Sequence, residues 1–210
     1  MLLILPIGSV MACYKEHLSD DENFSSCQTE AKQGSVKAQY NLALMYRTGK
    51  GAAIDYDRAF YWYQTAADQG DHKAQYNVAL MYQKGMGVVH SAQHAIEWYQ
   101  QAISNGSVKA QFNLALLYHK GDGVPPDYQL AREGYENAAK QGHSGAQYNL
   151  AVMYDQGLGV ERDYAMAYML WGLAAKHGHE LAQLNLTTLN ETITEQQRVE
   201  AEALLLEWTK

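Results

Sequence analysis

The sequence predicts an all-α protein, an αα-solenoid of about four to five 36-residue helix-pair repeats with terminal cap helices. Three observations predict it. The dipeptide Ala-Gln recurs at Ala38-Gln39, Ala74-Gln75, Ala110-Gln111, Ala146-Gln147 and Ala182-Gln183, always 36 residues on; a fixed period of this length marks stacked repeat units. Asn41, Asn77, Asn113, Asn149 and Asn185 keep the same step. Glycine pairs at Gly49/Gly51, Gly85/Gly87, Gly121/Gly123 and Gly157/Gly159, with single glycines at Gly70, Gly106, Gly142 and Gly178, punctuate each unit.

Within one unit Ala38, Leu42, Met45 and Tyr46 fall at i, i+4, i+7 and i+8, one face of a helix. Gly49 ends it, since glycine tolerates the left-handed conformation of a helix terminus. A second helix opens after Asp55, and Ser91, Asp127 and Asp163 hold the same column; each can cap the first turn with its side-chain oxygen. This helix buries Ala59, Tyr63, Ala66 and Ala67 and stops at Gly70. A single pair cannot cover its own apolar face, so stacking of neighbours stabilises it.

The ends follow the same ruler. Thirty-six residues before Asp55 and Gly70 stand Ser19 and Gly34, so residues 20–33 are predicted to form a lone second helix, the cap of an N-terminal segment spanning 13–34. The repeats span 35–190, and 191–210 form the C-terminal cap, with Thr194 and Gln197 making a capping box for a helix reaching about Trp208.

Composition narrows the function. Sixteen Lys and Arg against 23 Asp and Glu give a net charge of −7, with no broad basic field for nucleic acid. With 47% hydrophobic and 19% charged residues the chain is not a disordered one. Cys13 and Cys27 are the only cysteines, too few for a four-thiolate zinc site. No cofactor is expected. His90 and His94 lie four apart, but Ser91 caps the helix between them, so they are read as surface histidines.

The run Ala74-Gln75-Tyr76-Asn77-Val78-Ala79-Leu80-Met81-Tyr82-Gln83-Lys84-Gly85-Met86-Gly87-Val88, followed by Ala95-Ile96-Glu97-Trp98-Tyr99 and Ala102, resembles the Sel1-like repeat, a relative of the tetratricopeptide repeat. The resemblance covers roughly residues 35–210. It implies a right-handed superhelix that serves as a binding scaffold or adaptor without chemistry of its own, commonly in bacterial envelope or secreted proteins. One cysteine-rich secreted subgroup is linked to penicillin binding and β-lactamase activity, which makes a β-lactam- or cell-wall-processing enzyme the alternative reading. The repeats here contain no cysteine. S-x-x-K, S-D-N and K-T-G are absent, and His179-Glu180 lacks the second histidine of a zinc-protease motif, position 183 being Gln. Each Gly-x-Gly follows a helix, unlike a dinucleotide loop.

The candidate binding site is the asparagine column. Lys37, Asn41, Leu44 and Thr48 share one helix face, turned away from Leu42 and Tyr46. The equivalent stripes contain Lys73, Asn77 and Lys84; Lys109, Asn113 and Lys120; Asn149; and Asn185. In related superhelices the first helices line the concave surface, so the resemblance places these stripes in a groove. An amide offers an acceptor and two donors, enough to hold a peptide unit whatever its side chain. The lysines would favour an acidic segment or a C-terminal carboxylate. The competing reading is that each Asn ties its helix to a neighbour by an internal hydrogen bond.

Residues 1–12, MLLILPIGSVMA, form an apolar run too short to span a bilayer, and are expected to be a signal peptide. Val10-Met11-Ala12-Cys13 resembles a bacterial lipobox, which implies lipidation at Cys13 and a periplasmic or outer-membrane lipoprotein. A Cys13–Cys27 disulfide is the competing export reading, with Cys27 otherwise a small buried hydrophobe. A cytoplasmic location follows if the run is not a signal.

Overall fold

A computed structural model describes residues 13–208. Among them eleven helices and no strand occur: α1 (Asp20–Lys32), α2 (Val36–Thr48), α3 (Tyr56–Ala67), α4 (His72–Lys84), α5 (Ala92–Ser104), α6 (Val108–Lys120), α7 (Tyr128–Lys140), α8 (Ser144–Gln156), α9 (Tyr164–Lys176), α10 (Glu180–Asn190) and α11 (Glu195–Trp208). The even-numbered helices are the predicted first helices, and α3, α5, α7 and α9 the second. The chain divides into two compact units between Ser91 and Ala92. The apolar run of residues 1–12 lies outside the described residues.

Local chemistry fixes the helix ends. Asp55, Asp127 and Asp163 each accept from the amide three residues on, at 2.9 Å, as the cap column predicts. First helices are capped too, by Ser35, Asp71, Ser107, His143 and His179. At His143 and His179 the acceptor is the ring Nδ1, 3.2 and 3.3 Å from the amides of Ala146 and Ala182. Thus His179, which begins the incomplete metal motif, is a helix cap. At the far end of α4, Gly85 takes φ +64° to close the helix. Gly87, two residues on, is required twice: its φ is +65°, and a Cβ there would collide with the Tyr56 carbonyl at the start of α3.

In the first unit, the core gathers Leu42, Ala43, Tyr46, Ala59, Tyr63, Ala66 and Val78, all buried. The second unit buries Tyr135, Leu150, Met153, Leu170, Trp171 and Ala182 in one cluster. Within each compact unit, fixed alanines let helices approach closely and leave the aromatic rings to fill the spaces between neighbouring helices. Burying each such ring contributes roughly 1.5–3 kcal/mol over leaving it exposed.

Both caps form as predicted. Ser19 accepts from the Glu22 amide while the Glu22 carboxylate accepts from the Ser19 amide at 2.9 Å. Thr194 and Gln197 make the same reciprocal pair. α11 packs on α9, and Arg198 donates from Nη2 to the last carbonyl of α10, Asn190, at 2.8 Å. The face of α10 equivalent to the buried Gln147 and Ala151 carries Gln183 and Thr187, both exposed.

Candidate functional site

The five lysines of the column, Lys37, Lys73, Lys84, Lys109 and Lys120, are all exposed. Asn41, Asn113, Asn149 and Asn185 are half-buried, and Asn77 is 8% exposed. Asn77 donates from Nδ2 to the Lys73 carbonyl of its own helix at 2.7 Å. It also bonds the Tyr40 side chain of the preceding first helix, lowering a phenol pKa that burial raises more strongly. Asn41 reaches Cys13 Sγ at 3.5 Å, and the Asn149 amide lies beside the Tyr135 side chain. Several rungs of the column are therefore engaged inside the protein, as the inter-repeat reading expects.

The N-terminal segment carries the bond of the competing export reading. Cys13 and Cys27 form a disulfide, both sulfurs buried. The disulfide uses the Cys13 sulfur, the same atom that a thioether at this position would require. Cys27 is buried as expected, yet as half of that bond and not as a free thiol. It occupies the column position of Tyr63, and the bridge fills for α1 the place that an aromatic ring fills in complete repeats. Asn23 secures the same segment, donating to the carbonyls of Lys15 and Leu18 and accepting from the Lys15 amide at 2.7 Å.

The glutamine of the Ala-Gln ruler has a role that its periodicity alone does not disclose. Gln39, Gln75 and Gln147 are nearly fully buried, and each donates from Nε2 to the carbonyl eight residues back, Ala31, Ala67 and Ala139, at 3.3, 3.2 and 3.1 Å. Gln39 Oε1 in turn accepts from Gln69 at 2.7 Å. The amide thus adds a second donor to a helix-end carbonyl that already accepts from the backbone amide of Gly34, Gly70 or Gly142, at 3.0, 2.9 and 2.9 Å. The available signal is a polar residue inside an otherwise apolar column at a strict period.

Aromatic partners vary along the repeats. Arg47 donates from Nε to the Tyr63 hydroxyl at 3.3 Å, and burial pushes the Tyr63 phenol up to about 12 despite that cation. In the third repeat the corresponding pair is His119 and Tyr135, with ring centroids 5.8 Å apart. His119 Nδ1, the Tyr135 hydroxyl and Trp171 Nε1 are buried without a hydrogen-bond partner. Among the described residues no group of His, Cys, Asp and Glu could hold a metal, and no helix is long and apolar enough to cross a membrane.

Successive capped helix pairs, joined through side chains at fixed columns, define a tandem helix-repeat solenoid scaffold. The Sel1 repeat family profile matches residues 36–71, 72–107, 108–143 and 144–179. The chain belongs to the Sel1 repeat family, whose repeats generally mediate protein–protein interaction. It is similar to a protective antigen of uropathogenic Escherichia coli with an SLR fold, at 34% identity and TM-score 0.79, over 89% of this chain and 40% of that one. A Sel1 repeat protein from Oxalobacter formigenes is 33% identical with TM-score 0.71, over 81% of this chain and 49% of the other. The chain thus spans less than half of either relative. An immunity protein from Pseudomonas aeruginosa, 22% identical at TM-score 0.54 over 92% of this chain and 76% of its own, shares the fold. No curated protein matches.

Proposed function

We propose that this chain is a non-enzymatic adaptor that captures a segment of a partner protein on the asparagine-bearing faces of its first helices. The observation that carries the reading is the coincidence, at repeat spacing, of exposed lysines with amides on the same faces, in a protein of net charge −7. Local positive potential of this kind favours an acidic segment or a C-terminal carboxylate. The internal bonds of Asn41 and Asn77 are compatible with this role, since an amide carries more hydrogen-bonding sites than those bonds use. Export to a bacterial periplasm is part of the proposal, supported by the Cys13–Cys27 disulfide, a bond that persists in oxidising compartments.

The test is affinity capture from the native extract, read by mass spectrometry, comparing wild type with Asn77→Ala/Asn113→Ala and with Lys84→Glu/Lys120→Glu. The lysine variant is expected to keep its helicity and melting temperature, the asparagine variant its helicity with a lowered melting temperature, and both to lose the captured partner. Undiminished capture by the lysine variant removes the electrostatic part of the reading. Unfolding of the asparagine variant assigns that column to structure alone.

A further inference from the structure

A cavity of about 510 Å³ opens in the second unit beside Asn185, the last asparagine of the column, and is lined also by Asp155, Tyr164, Trp171 and Glu191. No Lys, Arg or His lines it, and among the described residues neither carboxylate has an ion-pair partner. Comparison between repeats shows what has changed. Three repeats earlier the positions of Asp155 and Trp171 are Arg47 and Tyr63, where the protein's own guanidinium donates to its own phenol at 3.3 Å. In the fourth repeat a carboxylate replaces that guanidinium, and the buried Trp171, 4% exposed, leaves its indole N–H with no acceptor. The lysine stripe has also run out: Gly145 and Gln156 occupy the columns of Lys109 and Lys120.

We propose that this cavity is an arginine subsite: it takes a guanidinium supplied by the partner protein, held between Asp155 and Glu191, with Asn185 beside the partner's main chain. Guanidinium fits here better than ammonium because it is planar and binds carboxylates in a forked geometry. The cavity holds more than a side chain, leaving room for the adjoining peptide unit. This deepens the protein-binding reading by adding a basic residue to the partner segment, at the end of the column where the lysines stop.

The probe is the capped tripeptide acetyl-Gly-Arg-Gly-amide, titrated into the full chain while the indole ¹⁵N–¹H resonance of Trp171 is followed, assigned with Trp171→Phe. The expected result is a saturable shift that weakens at least tenfold when citrulline replaces arginine, and also in Glu191→Gln, a change at an exposed position that leaves the fold intact. Asp155→Asn, checked for retained helicity, is expected to act in the same direction. An equal shift with the citrulline peptide, or an unmoved resonance with the arginine peptide, overturns the subsite. Because Asn77→Ala/Asn113→Ala leaves this cavity untouched, that variant is expected to bind the tripeptide normally even if it loses partner capture, so the two proposals fail separately.

Discussion

Gln147 Oε1 lies 3.0 Å from His177 Nδ1, thirty residues further along the chain, while the same side chain donates to the Ala139 carbonyl at 3.1 Å. One buried amide therefore joins the ends of α7 and α9 to the start of α8. Gln39 makes the same two-sided arrangement with Ala31 and Gln69. These bonds connect elements that are distant in sequence, and they explain how a polar residue recurs in a buried column: its amide finds both a helix-end carbonyl with a spare lone pair and a side-chain partner there.

Replacing Gln147 by Ala removes its bonds to the Ala139 carbonyl and to His177 and opens a small void, although the Ala139 carbonyl keeps the Gly142 amide as a donor at 2.9 Å. Stability is expected to fall by about 1–3 kcal/mol, read from the urea midpoint at unchanged slope. Exposed Gln183, the same column in α10, provides the comparison: Gln183→Ala is expected to stay within about 0.5 kcal/mol of wild type. Equal effects at the two sites would refute the clamp.

Reduction of the Cys13–Cys27 bridge frees a loop of sequence separation 14, and closure of a loop of that size is worth about 3 kcal/mol in the chain-entropy model. A lower melting temperature under dithiothreitol is the expected outcome. Cys13→Ser/Cys27→Ser should begin from the lowered value and respond no further to reductant. Proteolysis before α1 is expected to quicken in both cases, because the bridge and Asn23 together hold that segment.

His143 caps α8 through Nδ1, which accepts only when that nitrogen carries no proton. Burial is the main reason its pKa lies below the usual histidine value, with the charge of Lys109 adding to it and a backbone hydrogen bond opposing. A lowered folded-state pKa means that the unfolded chain takes up its proton first. The cap's contribution is thus complete above the ordinary histidine pKa and is lost as pH falls through the depressed one. His143→Asn keeps a side-chain acceptor that does not titrate. The stability of wild type relative to this variant is expected to decline on acidification from pH 7 to 5, in denaturant titrations at each pH; parallel profiles would contradict it.

Much of the fold was legible because helix pairs are specified locally. Apolar spacing, Asp caps and glycine stops act within a few residues, so α3, α7 and α9 begin directly after the predicted caps Asp55, Asp127 and Asp163. The site was less legible. An asparagine at a fixed column satisfies the pattern equally whether it faces a ligand or bonds Tyr40, as Asn77 does. Likewise Asp155, Trp171 and Glu191 belong to no shared motif and meet only when α8, α9 and the end of α10 are packed together.

By itself the sequence determined the period, the helix pairs, their caps and the terminal cap helices, since these depend on backbone conformation and on local apolar spacing. Tertiary structure alone decided that Cys13 is spent on Cys27, that the ruler glutamines bond helix-end carbonyls, and that an acidic, aromatic-lined cavity opens beside Asn185. The physical reason is distance: hydrogen bonds and covalent bridges act over a few ångströms between groups whose separation along the chain does not reveal their separation in space.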